Sequence, residues 1–99
     1  MVFDKIAVIG AGAWGTTMAN YLAGKTKEVR LWTNQKDTLA AIVEKRRNDR
    51  YLPEVRLSPK IQATDDMAKA VEGCALTVWA FPVQHLRERM RQFLPFFEK

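Results

Sequence analysis

The chain has 99 residues, enough for one small domain with a modest core and too few for a separate catalytic domain beside it. Apolar residues make up 47% and charged residues 27%, an ordinary globular composition, and no apolar run reaches the roughly 18 residues of a membrane helix. A single cysteine, Cys74, excludes an internal disulfide, and with one histidine it argues against structural zinc; a reducing cytoplasm is the expected setting.

Lys5 to Ile9 reads as a short strand, apolar on both faces as in the centre of a parallel sheet. No secretory leader is read there, because the short apolar run carries glycines where a cleavage site would stand. A helix is predicted from Ala13 to Ala23, with Met18, Ala19 and Leu22 on one face and Gly24 just past its end. Glu28 to Trp32 is the second strand. Asp37 is the expected N-cap of a helix reaching about Arg47, with Leu39, Ile42 and Val43 as its apolar stripe. The basic run Lys45-Arg46-Arg47 with Arg50 closes that helix, where cations suit the negative end of the dipole. The net charge of +5 suits a phosphorylated small molecule as well as a polyanion. No aromatic side chains interleave the basic run, so no nucleic-acid partner is expected.

Residues 48–60 read as irregular, broken by Pro53 and Pro59. A strand at Ile61 to Ala63 follows, then a helix capped by Asp65 or Asp66 that runs to about Val71 and stops at Gly73. Ala75 to Phe81 is a fourth, two-sided apolar strand, and Gln84 to about Leu94 the last helix. Strands alternating with helices predict an α/β fold of the Rossmann type, a parallel sheet with helices on both faces and right-handed crossovers.

The first strand runs into Gly10-x-Gly12-x-x-Gly15, which opens the first helix. In this context each glycine has a physical reason: Gly10 for the tight turn, Gly12 for close approach of a pyrophosphate, Gly15 for packing of helix on strand. The free N–H groups and positive dipole end of the helix then face the phosphates. The acid that usually holds the ribose at the end of the second strand is missing from Trp32-Thr33-Asn34-Gln35-Lys36. Asn34 and Gln35 remain as hydrogen-bonding groups for a ribose. With no carboxylate to repel it a 2′-phosphate is tolerated, and Lys36 can pair with it, so NADP is expected to be accepted beside NAD.

The segment Gly10-Ala11-Gly12-Ala13-Trp14-Gly15-Thr16-Thr17 resembles the N-terminal motif of the bacterial-type NAD(P)-dependent glycerol-3-phosphate dehydrogenases. Glu28-Val29-Arg30-Leu31-Trp32 is similar to that family's second strand, and Arg50-Tyr51-Leu52-Pro53 to its segment after the second helix. Phe81-Pro82 with Gln84, Leu86 and Arg87 resembles the region after its fourth strand. The resemblance implies that Gly10, Gly12 and Gly15 line the pyrophosphate of NAD or NADP and that Ala13 and Trp14 contact the cofactor. It places Asn34 and Gln35 at the adenosine ribose, with Tyr51, Phe81 and Pro82 also reaching the cofactor.

The resemblance further implies a cytoplasmic enzyme that interconverts dihydroxyacetone phosphate and sn-glycerol 3-phosphate for phospholipid synthesis. The family's fifth strand, catalytic lysine and helical substrate domain would lie beyond Lys99, so residues 1–99 are expected to be an N-terminal cofactor domain and no catalytic residue is assigned. His85, the single histidine, is expected to be an ordinary helix residue. Without a fifth neighbour, Leu76, Val78 and Trp79 would belong to an exposed edge strand and Phe93, Phe96 and Phe97 would lose partners, so a homo-oligomer is expected. The alternatives are a stand-alone NAD(P)-binding module and the cofactor domain of another dehydrogenase.

Overall fold

The computed structural model describes residues 3–97. Strands and helices alternate throughout: β1 (Phe3–Ile9), α1 (Ala13–Ala23), β2 (Thr26–Trp32), α2 (Lys36–Lys45), β3 (Ile61–Thr64), α3 (Met67–Val71), β4 (Leu76–Trp79) and α4 (Val83–Phe97). The strands form one parallel sheet in the order β3-β2-β1-β4. β1 is central. Ile6 pairs in register with Val29 on one side and with Leu76 on the other, and Ile6 to Ile9 are all buried. That is why this short stretch is apolar on both faces.

Strand alternation sends successive residues to opposite cores. Val8, Val29, Leu31 and Ile61 pack under Ala19 and Ala23 of α1 and Ile42 of α2. Ala7, Ile9 and Trp32 pack under Ala70 and Val71 of α3 and Phe93 of α4. Phe93 meets Trp32 edge-on at 5.1 Å between ring centroids and Trp79 at 5.5 Å. Such edge-to-face pairs each contribute roughly 1 kcal/mol beyond the area they bury.

The α/β order and the span of α1 match the expectation from sequence, while several ends differ for identifiable reasons. Asp37 is not the N-cap of α2. Gln35 holds that position in extended backbone, and Asp37 sits within the first turn. There its carboxylate accepts the Thr38 N–H at 2.9 Å and lies 3.6 Å from the Arg50 guanidinium, a favourable place for an anion near a helix start. The helix stops at Lys45 rather than Arg47, because Arg46 takes a left-handed conformation (φ 57). The Arg46 guanidinium then donates to the carbonyls of Ser58 and, at 2.8 Å, Ile61, tying the irregular segment to β3.

Asp66, of the two candidates, caps α3, its carboxylate accepting the Lys69 N–H. β4 is shorter than the expected Ala75 to Phe81, although Ala75 and Ala80 still donate their N–H groups to Lys5 and Ile9 of β1. α4 runs past Leu94 to Phe97. The expectation that Phe93, Phe96 and Phe97 lose their partners is overturned. Phe93 is fully buried, Phe96 packs against the same core, and Phe97 tilts against Trp79 at 6.0 Å. The face of the sheet supplies the apolar cover, so α4 folds onto it. β4 is the edge strand among the described residues, with Leu76 exposed while Val78 and Trp79 are half-covered by the cores on either side.

Candidate functional site

From β1 the chain moves outward through β2 to β3, then returns to lay β4 on the other side of β1. Loops leaving the carboxyl ends of β1 and β4 therefore diverge, and a crevice opens between them, where open α/β sheets bind ligands. One part of it, about 330 Å³, is lined by Gly10, Ala11 and Gly12, by Trp32 to Gln35, by Tyr51, and by Ala80 to Pro82. A second part, about 470 Å³, is lined by Gly12 to Gly15 and Trp79 to Pro82. The two share Gly12 and Ala80 to Pro82. The crevice thus brings together all the residues proposed from sequence: Gly10, Gly12, Ala13, Trp14, Gly15, Asn34, Gln35, Tyr51, Phe81 and Pro82.

The three glycines have different physical reasons. Gly10 has φ +117, and a Cβ there would fall 2.5 Å from the Ala80 carbonyl oxygen. A Cβ on Gly15 would fall 1.9 Å from the Gly10 carbonyl oxygen. Both are therefore needed by the fold itself. Gly12 is different: its backbone is extended (φ −72, ψ −170), and a Cβ would meet nothing within 4 Å. The protein's own packing gives no reason for glycine there, and a side chain would only occupy the crevice.

Gly12 is also the N-cap of α1. It makes no side-chain cap, and the first turn carries no acidic residue. Helix geometry leaves the N–H groups of Gly12, Ala13, Trp14 and Gly15 without intrahelical partners. These donors and the positive dipole end suit an anion. Trp14 stands beside them, more than half exposed.

On the other side, the end of β2 is held in a hydrogen-bonded frame. Thr33 is buried; its N–H donates to Thr64, and its hydroxyl accepts the Gln35 N–H. The Gln35 side-chain carbonyl accepts from the Thr38 hydroxyl at 3.2 Å and the Tyr51 hydroxyl at 3.1 Å. Asn34 is exposed at the crevice rim. The Arg50 guanidinium lies 5.4 Å from the Tyr51 ring centroid. The basic run is not one patch: Lys45 pairs with Asp49, Arg46 with backbone carbonyls, and Arg50 with Asp37.

Sequence reasoning missed Asn48. It is fully buried, and its side-chain amide donates to the Ala11 carbonyl at 2.8 Å and the Thr16 hydroxyl at 2.7 Å. Its side-chain oxygen accepts the Tyr51 N–H at 3.2 Å. An asparagine in an irregular stretch gives no signal of this role. Cys74 lies before β4, at the opposite end of the sheet from the crevice; burial pushes its thiol above the ordinary value of 9.0, with Lys5 and Arg30 opposing that rise. His85 is exposed on α4. Among the described residues no cluster of His, Cys, Asp or Glu could hold a metal ion, and no helix is long and apolar enough to cross a membrane.

A parallel sheet whose order reverses beside a glycine turn at a helix start is the plan of the Rossmann class of α/β domains. Residues 5–99 match the sequence profile of the NAD-dependent glycerol-3-phosphate dehydrogenase N-terminus, and the chain belongs to that family. Among curated relatives, a glycerol-3-phosphate dehydrogenase (NAD(P)+) of Citrifermentans bemidjiense is 41% identical over 97% of this chain and 29% of its own length. The Bacillus subtilis protein of the same name is 39% identical over 96% of this chain and 28% of its own. A crystal structure of glycerol-3-phosphate dehydrogenase from Coxiella burnetii superposes with a TM-score of 0.85 at 30% identity, covering 94% of this chain and 29% of that one. The Saccharomyces cerevisiae enzyme gives 0.80 at 26% identity, covering 93% and 30%. The chain thus spans under a third of the length of these proteins.

Proposed function

We propose that this chain binds NAD or NADP across the crevice, as the N-terminal cofactor domain of a cytoplasmic glycerol-3-phosphate dehydrogenase that interconverts dihydroxyacetone phosphate and sn-glycerol 3-phosphate. The observation that carries this reading is Gly12, a glycine with open space around it at an uncapped helix start. In this reading the N–H groups at the start of α1 bind the pyrophosphate, with Gly10 and Gly15 shaping the turn. Ala13 and Trp14 flank it. Asn34 and Gln35 hydrogen-bond the adenosine ribose, and Tyr51 orients Gln35 through their mutual hydrogen bond. Phe81 and Pro82 form the opposite wall and exclude water from the crevice. When bound, the nicotinamide supplies or accepts the hydride. The missing carboxylate beside Asn34 and Gln35 leaves room for a 2′-phosphate.

Titration with NADH and, separately, NADPH, followed by tryptophan emission, tests this. Trp14, Trp32 and Trp79 all line the crevice, so saturable quenching with energy transfer to the dihydronicotinamide is expected. The ratio of the two affinities decides the cofactor. No saturable change by fluorescence or calorimetry would overturn the reading.

The chain is further proposed to self-associate. β4 presents a free edge among the described residues, with Leu76 exposed on it, and Met90 and Leu94 are exposed on neighbouring α4. Light scattering after size exclusion is expected to give a mass that rises with concentration. A constant monomer mass would refute it.

A further inference from the structure

We infer that Asn48 is a positioning residue for anion binding at the glycine turn: its buried amide fixes the Ala11–Gly12 peptide so that the Gly12 N–H points into the crevice. The inference rests on the reading of the crevice as a pyrophosphate site. The Ala11 carbonyl accepts two hydrogen bonds from the interior, one from the Asn48 amide at 2.8 Å and one from the Thr16 hydroxyl at 3.2 Å. Asn48 also donates to that hydroxyl at 2.7 Å, so the three groups close a ring. All are buried: Ala11 is 6% exposed, Thr16 and Asn48 0%. A trans peptide is planar, so its C=O and N–H point in opposite directions. Holding the Ala11 oxygen inward therefore turns the Gly12 N–H outward, to the crevice that Gly12 lines in both its parts.

Glycine on one side of that peptide makes the restraint necessary. Gly10, Gly12 and Gly15 leave the turn with few side chains of its own to hold it, and a peptide followed by glycine reorients at little steric cost. The same asparagine accepts the Tyr51 N–H, and Tyr51 in turn bonds Gln35. One buried side chain thus couples the phosphate end of the crevice to its ribose end.

The test uses amide NMR and NADH and ADP titrations on the chain, ADP being a ligand that carries the pyrophosphate without the nicotinamide. In the unsubstituted protein ADP is expected to move the Gly12 amide proton downfield, together with those of Ala13 and Trp14. If ADP and NADH do not bind at all, the pyrophosphate reading fails. If they bind and shift Ala13 and Trp14 but leave Gly12 unmoved, the pyrophosphate reading stands and the role of Asn48 is overturned. Asn48→Ala is expected to weaken ADP and NADH by the same factor, about tenfold, and to abolish the Gly12 shift, in samples shown to be folded by circular dichroism; Thr16→Val, which leaves the Asn48 bond to the Ala11 carbonyl in place, should weaken both less. Thr16→Ser, which keeps the hydroxyl, should retain unsubstituted affinity and shift. Unchanged affinity in a folded Asn48→Ala variant, or weakened affinity with the Gly12 shift intact, would reduce Asn48 to a structural role and overturn the inference.

Discussion

Replacing Gly12 with alanine separates the needs of the fold from those of a ligand. The backbone at Gly12 is extended, a conformation alanine adopts freely, and the added Cβ meets no atom within 4 Å. Two small terms then oppose one another. Alanine lowers the entropy of the unfolded chain, stabilising by about 0.4–1 kcal/mol. Alanine is also a poorer N-cap than glycine, costing on the order of 0.5–1 kcal/mol. The net change is within about 0.5 kcal/mol, which for a domain this size moves the midpoint of thermal unfolding by no more than about 4 °C. Gly15→Ala is the contrasting case. Its Cβ would lie 1.9 Å from the Gly10 carbonyl oxygen and 3.0 Å from the Ala80 side chain. Neither the helix start nor the turn can yield without moving backbone, so the cost is at least the roughly 1–3 kcal/mol of an overpacked core, a drop of about 4 to 24 °C. Binding should behave in the opposite way. Gly12→Ala places a methyl group where a phosphate must approach the α1 amides, and NADH affinity should fall at least about tenfold, which corresponds to about 1.4 kcal/mol. Thermal melts by circular dichroism and NADH titrations on the same samples measure both. A Gly12→Ala protein that melts and binds like the unsubstituted chain would refute the reasoning; so would one destabilised as much as Gly15→Ala.

Phe93→Ala removes the ring between Trp32 and Trp79 and should cost about 3–5 kcal/mol, read from the urea midpoint; a loss under about 1 kcal/mol would mean that α4 does not hold that core. Arg46→Ala leaves the carbonyls of Ser58 and Ile61 without their charged donor and should destabilise by about 2 kcal/mol. Both carbonyls accept from the same guanidinium nitrogen, so Arg46→Lys, whose single ammonium carries three N–H groups, should recover much of that loss, and no recovery would contradict the reading that a charged donor holds the two carbonyls. Burial raises the Cys74 thiol above its ordinary 9.0, so the folded state holds its proton longer than the unfolded state does. This contribution to stability is whole below pH 9 and is lost as pH rises through the folded value. Cys74→Ala should flatten the alkaline fall in urea midpoint, and native Cys74 should react with a thiol reagent more slowly than unfolded chain at pH 8.

Elements carried by local physics were legible from the residues alone. Gly10, Gly12 and Gly15 lie within one turn and its helix, and the two-sided apolar run before them marks a central strand whatever else surrounds it. The start of α3 was legible to within one residue, as Asp65 or Asp66, because its cap bond reaches only three residues on. Asp37 misled because an acid near a helix start serves equally as a cap or as a first-turn anion, and here the helix begins after Gln35, whose side chain makes no cap bond. Phe93, Phe96 and Phe97 misled because an apolar terminus reads the same whether or not a sheet face waits to cover it.

The chain's own order of residues therefore determined the alternation of strands and helices, the glycine turn and the family resemblance, all of which depend on neighbours close in sequence. Tertiary structure alone decided that Arg46 would leave the helix to hold Ser58 and Ile61, and that Asn48 would be buried beneath the glycine turn. The partners of Asn48, Ala11 and Thr16, lie 37 and 32 residues away. A polar side chain at such a distance is driven inward only when the fold presents the one carbonyl and the one hydroxyl that can satisfy it, and no local pattern encodes that meeting.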